Sequence, residues 1–223
     1  MKRLSILFAA LLLLAGLCGA ADAYYITESY VYDGAGGLTS PYAGVTVETF
    51  NEVSNPNVVG NLSNVTGFTG NGEIVKGSSG QNAAPNTPQN VPDTTNYLVV
   101  PSVGAAVGQG VIVSCAPSNY IGLWWGSVDT YNSLDISYAN GVLKITGSMV
   151  PIKGYSGDQG PDGSVYVNIL DLPVFTSFEI NSDGVACEVD NVATGMVPEP
   201  CTLFLLGSGL VGLGIYRRRS SMK

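Results

Sequence analysis

Residues 134–146 read LDISYANGVLKIT, and this stretch decides the fold class. Apolar and polar residues alternate on both sides of Asn140-Gly141, as they do in two strands that each turn one face to a core. Asn and Gly both tolerate the positive φ of a type I′ turn, so the pair predicts a hairpin with a two-residue loop. The stretch therefore predicts antiparallel β structure.

The predicted loop also fixes the register of the two strands. It pairs Tyr138 with Leu143 and Ile136 with Ile145, and these four side chains then share the core face. The opposite face is expected to be exposed to solvent, because it carries the polar residues of both strands: Asp135, Ser137, Lys144 and Thr146.

The chain from Tyr24 to Val197 continues this pattern. Short apolar runs are broken by Gly, Asn, Asp and Pro, and no run keeps the 3.6-residue period of an amphipathic helix. The pattern predicts one all-β domain, an antiparallel jelly-roll-like β-sandwich. The predicted strands are Ala43–Phe50, Tyr97–Val100, Gly110–Cys115, Tyr120–Trp125, Leu134–Tyr138, Val142–Thr146, Val165–Leu170, Phe175–Ile180 and Val185–Val192.

A second hairpin is expected near the end of the domain. A four-residue loop over Asn181–Gly184 pairs Phe178 with Cys187 across two strands. It also avoids placing Glu179 opposite Glu188, which a two-residue Asp-Gly loop requires and which like-charge repulsion disfavours. We therefore expect the longer loop.

The segment 51–96 has a different composition from the rest of the domain. It is rich in asparagine and includes QNAAPNTPQN at positions 81–90. Such residues favour turns and loops over strands. We expect a polar, mobile insertion with one short hairpin near Gly72.

Acidic residues dominate the domain. Tyr24–Val197 contains three lysines, no arginine and fifteen acidic residues, a net charge of −12. It should repel nucleic acid and anionic polysaccharide, because binding to phosphate and similar groups depends on Lys and Arg. The chain has no histidine, which excludes Ser-His-Asp catalysis, Cys-His catalysis and His-ligated zinc. We expect no nucleic-acid partner and no cofactor.

Two cysteines, Cys115 and Cys187, lie within the domain. In an exported protein, an even pair of cysteines favours a disulfide over two free thiols. A loop of about 70 residues closed in this way adds roughly 4 kcal/mol of stability on the loop-entropy estimate. We therefore expect a disulfide between them.

The first 23 residues have the pattern of a secretory signal peptide. Lys2 and Arg3 precede an apolar run over Leu4–Leu17, and an A-x-A cleavage site follows at Ala21 and Ala23. Signal peptidase is then a processing partner, and the exported chain begins directly after this site.

The last 27 residues read VPEPCTLFLLGSGLVGLGIYRRRSSMK. The two prolines of the Pro-Glu-Pro triplet keep the chain extended and stop any helix. The apolar run over Thr202–Tyr216 is about 22 Å long as a helix, short of the roughly 30 Å hydrocarbon core, so it spans only with bilayer thinning or help from its flanks. The arginines that follow predict a cytoplasmic end, with 220–223 as a cytoplasmic tail.

This order of elements resembles the PEP-CTERM sorting signal of Gram-negative bacteria, over residues 197–219. The residues that carry the resemblance are Val197, Pro198, Glu199, Pro200, Thr202, Leu203, Arg217, Arg218 and Arg219. The resemblance implies a transient inner-membrane anchor, processing by exosortase, which is a membrane cysteine transpeptidase-like enzyme, and delivery to the cell surface or exopolysaccharide matrix. An ordinary single-span anchor that is never removed is the alternative.

Two blocks within the domain resemble a subgroup of PEP-CTERM surface proteins with a β-sandwich body. Residues 119–135, NYIGLWWGSVDTYNSLD, are similar to an aromatic strand that ends in GLxWGSxDxYN. Residues 178–193 are similar to the terminal FExDN strand of that subgroup, with Cys187 where its pattern has an aromatic residue. The resemblance implies a β-sandwich body.

The first block supplies a candidate ligand face. Adjacent Trp124 and Trp125 point to opposite faces of a strand, so one belongs to the core and the other faces outward or lies under a loop. An outward ring beside Asp129, Tyr131 and Asn132 would offer a sugar an apolar surface and hydrogen-bonding groups. In the alternative interpretation, Asp129 and Asn132 cap the turn and both tryptophans close the edge of the sandwich.

A Gly-rich loop, GDQGPDG from Gly157, raises calcium binding as a further hypothesis. Asp158 and Asp162 supply carboxylates next to Gly163. The spacing is not that of an EF-hand loop, so the pattern is weak.

These observations favour an exported, non-enzymatic cell-surface or exopolysaccharide-matrix protein with a carbohydrate as its candidate ligand. One alternative is a secreted glycoside hydrolase with paired carboxylates such as Asp129 and Asp190, which would need to lie about 5 to 10 Å apart. The other is a purely structural matrix protein. A cleft with two facing carboxylates favours the enzyme, and an exposed Trp favours the binding protein.

Overall fold

The computed structural model describes residues 24–53, 58–61, 66–198, 207–213 and 217. Tyr24–Val197 forms one compact unit, while the described tail residues belong to a second. The strands of the described part are β1 Tyr25–Glu28, β2 Val31–Tyr32, β3 Leu38–Thr39, β4 Thr46–Glu48, β5 Val58–Asn61, β6 Phe68–Lys76, β7 Asn96–Val100, β8 Val111–Ser118, β9 Tyr120–Gly126, β10 Asn132–Tyr138, β11 Gly141–Thr146, β12 Val165–Leu170, β13 Phe175–Ser182 and β14 Cys187–Gly195.

The strands form one curled antiparallel sheet and a small separate pair. The order in the large sheet is β1-β12-β9-β14-β7-β6-β8-β13-β10-β11, with β4 added to β14 and β5 added to β6; β2 pairs with β3. The domain is therefore mostly β, as the alternating pattern predicts. The finer prediction of a jelly-roll-like sandwich stays a prediction.

Strand β6 joins the two halves of the large sheet, which are β1-β12-β9-β14-β7 on one side and β8-β13-β10-β11 on the other. Its first part, Phe68–Gly70, pairs with β8, and its second part, Glu73–Lys76, pairs with β7. The change of partner occurs at Gly70, which has a φ of +127° and approaches the neighbouring chain so closely that a Cβ would lie 2.4 Å from the Gly110 carbonyl oxygen. Only glycine fits this bend.

One hydrophobic core is shared by both halves. It contains Leu123 and Trp125 from β9, Val189 from β14, Ile136 from β10 and Phe178 from β13. Strands β9 and β14 are buried along nearly their whole length on both faces. Their second face is covered by the segments around β3 and residues 82–95, so non-strand chain lies over the outside of this half.

Each of the nine predicted strands is present, but the register of the first hairpin differs from the prediction. Ala139 and Asn140 form the turn, so Leu134 pairs with Ile145 and Ile136 with Leu143. The shift of two residues keeps every side chain on its predicted face, because the period of a strand is two. The observed register places Asp135 opposite Lys144, with 3.5 Å between Oδ1 and Nζ.

The predicted second hairpin is wrong. Strand β13 pairs with β8 and β10, whereas β14 pairs with β9, β7 and β4. Phe178 lies opposite Val113 and Ile136, and Cys187 lies opposite Val100. The link after Ser182 carries the chain from one half of the sheet to the other, which the alternation of apolar residues does not reveal.

Residues 51–96, the predicted polar insertion, include the antiparallel strand pair expected near Gly72, where Gly60 of β5 lies opposite Gly72 of β6. They contain β6, and Glu73, Ile74 and Val75 of this strand are buried. Residues 82–87 are buried as well, since they cover the outer face of the sheet. Polar side chains here bond to the fold, as Asn82 does to the Tyr97 hydroxyl and the Gly77 carbonyl oxygen.

The predicted disulfide is not formed, and both domain cysteines are free thiols. Cys187 is fully buried at the start of β14, where burial raises the pKa of its thiol. Cys115 lies beside Thr194, near the other end of the same strand. Seven residues of extended strand span about 20 Å, whereas a disulfide needs Cα atoms within about 7 Å.

We therefore predict that Cys115 and Cys187 are both alkylated by iodoacetamide in denaturant without reductant. In the native protein, the half-buried Cys115 should react first, because Cys187 is buried. Peptide mapping by mass spectrometry, with and without reductant, measures both results. A reductant-sensitive peptide that links these two residues would contradict this arrangement.

Candidate functional site

The folded domain ends in a fixed backbone position directly before the Pro-Glu-Pro triplet. The Val197 N–H donates to Asn119 Oδ1 at 2.7 Å, and Asn119 Nδ2 donates to the Val197 carbonyl oxygen at 2.9 Å. The Val197 side chain packs in a small cluster with Tyr120, Leu170 and Ala193. One side-chain amide therefore pairs with the last residue of the domain as a neighbouring strand would.

Most of the predicted processing residues lie outside the described part of the chain. These are Ala21, Ala23, Glu199, Pro200, Thr202, Leu203, Arg218 and Arg219. Among the described tail residues, Pro198 is exposed, and residues 207–213 and Arg217 are helical and exposed. The helices of the described residues all lack the length and apolar character needed to cross a membrane.

The two tryptophans of the predicted ligand face lie on opposite faces of β9. Trp125 belongs to the main core, and Trp124 packs with Leu38 and Tyr166 on the other side. The Trp124 indole Nε1 donates to the Asn86 carbonyl oxygen at 3.3 Å. The ring therefore lies beneath residues 82–95, which form the covering segment of this face. Both side chains have 0% exposure. Neither ring offers a surface to a ligand: Trp125 is in the core and Trp124 lies under a loop, the second of the two positions expected for it.

The three polar members of the predicted face have different environments. Tyr131 is 36% exposed, whereas Asp129 and Asn132 are buried. Asp129 Oδ1 accepts from the Ser156 hydroxyl at 3.1 Å, and its carbonyl oxygen accepts from the Asn132 N–H at 3.1 Å. Asn132 Oδ1 accepts from the Ser182 hydroxyl at 2.7 Å. Asp129 and Asn132 thus stabilise the turn between β9 and β10, as in the alternative interpretation.

A polar pocket of about 420 Å³ opens beside this turn. Its lining residues are Gly80, Gln81, Asn82, Gly104, Ala105, Ser127, Gln159, Val185, Ala186 and Glu188. The volume is in the range of small-molecule sites, and amide and hydroxyl groups dominate the wall. Ser127, from the predicted block, has a φ of +43°. A left-handed conformation at a non-glycine residue costs about 1 to 3 kcal/mol and is typical of functional sites.

Tyr131 connects the predicted face to this pocket. Its hydroxyl donates to the carbonyl oxygen of the pocket residue Val185 at 3.2 Å. Its ring covers Gly184, where a Cβ would lie 2.6 Å from the ring. Burial, and then the nearby carboxyl groups of Asp129 and Glu188, raise the pKa of the Tyr131 phenol. The structure therefore brings Asp129 and Tyr131 together with Glu188.

Glu188 is the residue of this pocket that sequence reasoning missed as a ligand-binding candidate. Its side chain is 2% exposed; Oε1 accepts from the Ala83 N–H at 3.0 Å, while Oε2 has no hydrogen-bond partner in the described part of the chain. Burial above all, with a smaller effect of Asp129, raises the pKa of this carboxyl to about 8. A protonated carboxyl can donate as well as accept a hydrogen bond. One signal was available: Glu188 stands between the apolar residues Cys187 and Val189 in a predicted strand.

The predicted calcium loop uses its polar groups internally. Asp158 Oδ1 accepts from the Gly160 N–H at 2.9 Å, and the Asp162 carbonyl oxygen accepts from the Gly154 N–H at 2.7 Å. Gly163 donates to the Gly160 carbonyl oxygen. Within the described ranges, no group of three or more Cys, Asp or Glu side chains is arranged to hold a metal ion.

Comparison with known families identifies the tail. The PEP-CTERM protein-sorting motif matches residues 197–219, which indicates an exported surface protein processed by exosortase. No curated protein matches the chain. A matching crystal structure is the enzymatically active domain of tailspike protein 4 from bacteriophage CBA120, with 20% sequence identity and a TM-score of 0.27. The match covers 66% of this chain and only 21% of that one, and so low a TM-score supports no argument about fold or activity.

We predict that Asn119→Ala releases the end of the domain. The substitution leaves the Val197 N–H and carbonyl groups without their partners and should cost about 1 to 3 kcal/mol of unfolding free energy. Limited proteolysis should then cut between β14 and the Pro-Glu-Pro triplet at least several times faster. Ser137→Ala, on the exposed face of β10, is the control and should change neither quantity. Equal proteolysis of the two variants would show that the Asn119 amide does not hold the terminus.

Proposed function

We propose that this chain is an exported, non-enzymatic protein of the cell surface or exopolysaccharide matrix, sorted by exosortase, with a carbohydrate as the ligand of its β domain. The observation that carries the sorting proposal is the PEP-CTERM motif at residues 197–219. This motif begins at Val197, the last residue held by the domain. A cut at or after Pro-Glu-Pro therefore leaves every described core contact of the domain intact.

The proposed route has three steps. Signal peptidase cuts after Ala23, the apolar tail holds the chain transiently at the inner membrane, and exosortase then removes the tail near Pro198. In this proposal the released domain is a jelly-roll-like sandwich of the subgroup with the GLxWGSxDxYN block. Its net charge of −12 keeps it soluble and away from nucleic acid and other polyanions.

The pocket beside Glu188 is the proposed ligand site. Its wall offers side-chain amides, a hydroxyl and a carboxyl whose Oε2 has no other partner in the described chain. Hydroxyl groups of a sugar can both donate to and accept from such groups. Because the domain is strongly acidic, a neutral saccharide fits this site and an anionic one is disfavoured.

The hydrolase alternative has no specific observation in its favour. Two carboxylates that act on a glycosidic bond must face a common, open cleft. The side chains of Asp129 and Asp190 are buried, with relative exposures of 6% and 0%. Apart from burial, which has the largest effect, the pKa of Asp190 is raised by the charges of the acidic residues Asp93 and Asp33, and Asp129 is not among them. The remaining alternative, a purely structural matrix protein, differs from the proposal in binding no glycan.

Sorting is tested by replacing Pro198, Glu199 and Pro200 together with alanine in the native host. The variant should remain as an uncut precursor in the membrane fraction, because the triplet that marks the processing site is gone. Immunoblots of membrane, envelope and medium fractions measure this, and deletion of exosortase should give the same pattern. Alanine at Ser220, Ser221 and Met222 is the control. Normal processing of the triplet variant would refute the sorting proposal.

Ligand binding is tested with the full chain in mild detergent. A glycan array followed by calorimetry should find a neutral saccharide, and Ala105→Trp should weaken its binding at least tenfold by filling the pocket. Val103→Trp, on the same loop but outside the pocket lining, is the matched control and should bind normally. Absence of neutral-glycan binding, or binding that Ala105→Trp leaves unchanged, would reject this site without affecting the sorting result.

A further inference from the structure

Three separate segments bring acidic side chains together on the outer face of the sheet, above Trp124. Asp33 comes from the loop between β2 and β3, Asp93 from the covering segment, and Asp190 from β14 opposite Trp124. Burial above all, and then the negative charges of Asp93 and Asp33, raise the pKa of the Asp190 carboxyl. This cluster is separate from the pocket beside Glu188, because none of these residues lines that pocket.

Asp93 and Asp190 converge on one hydroxyl group. Thr95 Oγ1 lies 2.6 Å from Asp93 Oδ1 and 3.4 Å from Asp190 Oδ2. The other oxygen of each carboxyl group, Asp93 Oδ2 and Asp190 Oδ1, is buried and has no donor in the described chain, although the two carboxyl groups are close enough to hydrogen-bond to each other when one is protonated. Asp93 is 5% exposed and Asp190 is fully buried. Two buried hydrogen-bond acceptors without donors reduce the stability of the fold unless a further group binds them.

A β-bulge adds an amide to the same place. The register of β14 against β9 breaks between Asp190 and Ala193, and Asn191 has a φ of +48°. This conformation lets the side chains of two consecutive residues, Asp190 and Asn191, lie on the same side of the strand. Asn191 Nδ2 donates to Asp33 Oδ2 and to the Leu38 carbonyl oxygen, each at 3.0 Å.

The oxygen of that amide is also unpaired. Asn191 is 0% exposed, and its Oδ1 has no partner among the described residues. Asn191 directly follows Asp190, and its Nδ2 contacts the Asp33 carboxylate, so its amide group borders the cluster. Asn86 contributes a fourth buried oxygen without a partner, Oδ1, from the bridge that pairs it with Pro92, next to Asp93. The unpaired atoms are therefore all oxygens and all acceptors.

Nothing in the described protein neutralises the cluster. The ion pair of the described residues joins Lys144 to Asp135, on a different part of the sheet from the cluster. A proton shared by Asp93 and Asp190 would satisfy one pair of oxygens, as in a carboxylic dyad. It would leave the amide oxygens of Asn191 and Asn86 unpaired, whereas a cation attracts carboxylate and amide oxygens alike.

We propose that Asp93 and Asp190, with the side-chain oxygen of Asn191 and that of Asn86 as a further ligand, bind one Ca²⁺ ion on the outer face of the sheet. Calcium takes six to eight oxygen ligands in flexible geometry, from carboxylates, amide oxygens and water. Two carboxylates and two amides supply a neutralising, oxygen-only set. The set has fewer than three acidic ligands, consistent with the lack of a larger acidic or thiol group in the described ranges.

The ion has a structural consequence. It would tie the 82–95 segment to β14, and Asn191 extends this link through Asp33 to the loop before β3. These segments cover Trp124 and Tyr166, whose hydroxyl donates to the Asn191 carbonyl oxygen at 3.1 Å. Calcium would therefore stabilise the non-strand cover of the domain rather than take part in ligand binding at the Glu188 pocket.

The test uses the full chain in mild detergent after dialysis against EGTA. Calcium should bind with a 1:1 stoichiometry in calorimetry, and at one hundred times its Kd it should raise the Tm by about 5 to 10 °C. EGTA should reverse the shift, and Mg²⁺ at the same concentration should give a smaller one. Asp190→Asn and Asp93→Asn should each weaken calcium binding at least tenfold, while the removal of one buried charge leaves the fold intact.

Asp158→Asn is the matched control, since it removes a carboxylate of the Gly-rich loop and should leave calcium binding unchanged. Three results would overturn the proposal. The first is no calcium-dependent heat or Tm shift in the wild-type chain, and the second is calcium binding that Asp158→Asn abolishes. The third is calcium binding that neither Asp93→Asn nor Asp190→Asn weakens. Calcium-independent stability that falls as the pH rises, and that Asp93→Asn makes independent of pH, would also overturn the proposal and identify a proton between the two carboxyl groups.

Discussion

The structure depends on the backbone pairing of β14, the last strand of the domain. It bonds to β9 on one side and to β7 and β4 on the other, so a strand near the end of the sequence lies in the interior of the sheet. Both of its faces are buried. Every side chain on it must therefore be apolar or find a partner within the protein or a ligand. The acids and amides of β14 determine where chemistry can occur.

The position of β14 also connects folding to sorting. Its neighbours β7, β9 and β4 come from well-separated parts of the sequence, so the sheet closes only when nearly the whole domain is present. Val197 follows two residues after the strand, and the Asn119 amide fixes it. The sorting motif begins at this residue, so the domain is complete before the part of the chain that processing removes. Cleavage and folding therefore make no competing demands on the same residues.

The sequence predicted the strands well because alternation is a local property. All nine predicted strands exist, and the core and wet faces of β10 and β11 are as expected. Pairing between distant strands is not local, which is why the predicted hairpin between β13 and β14 failed and why Cys115 and Cys187 lie too far apart for a disulfide. The hairpin register failed for a related reason: a shift of two residues changes no side chain's face, so the alternating pattern fits both registers equally well.

The site was predicted only in part, because the sequence does not show which distant segments pack together. Residues 82–95 are bonded over the outer face and bury Trp124, so this ring has the second of its two expected positions, under a loop. The block around Asp129 and Tyr131 lies beside the proposed pocket, but the pocket also needs Glu188, which comes from β14. Its partners, such as the Ala83 N–H, come from the segment that appeared to be an insertion.

The scarcity of lysine explains why β14 carries two different kinds of acidic site. With three lysines against fifteen acids, the domain has few ion-pair partners for buried carboxyl groups. Glu188 is a single carboxyl, and burial raises its pKa to about 8, so it can stay neutral at a pocket open to a neutral ligand. Asp190 has Asp93 as a close neighbour, and the side-chain oxygens of Asn191 and Asn86 are also buried without a hydrogen-bond partner in the described chain. Two residues apart on one strand, the first acid is suited to a hydroxyl group and the second to a cation.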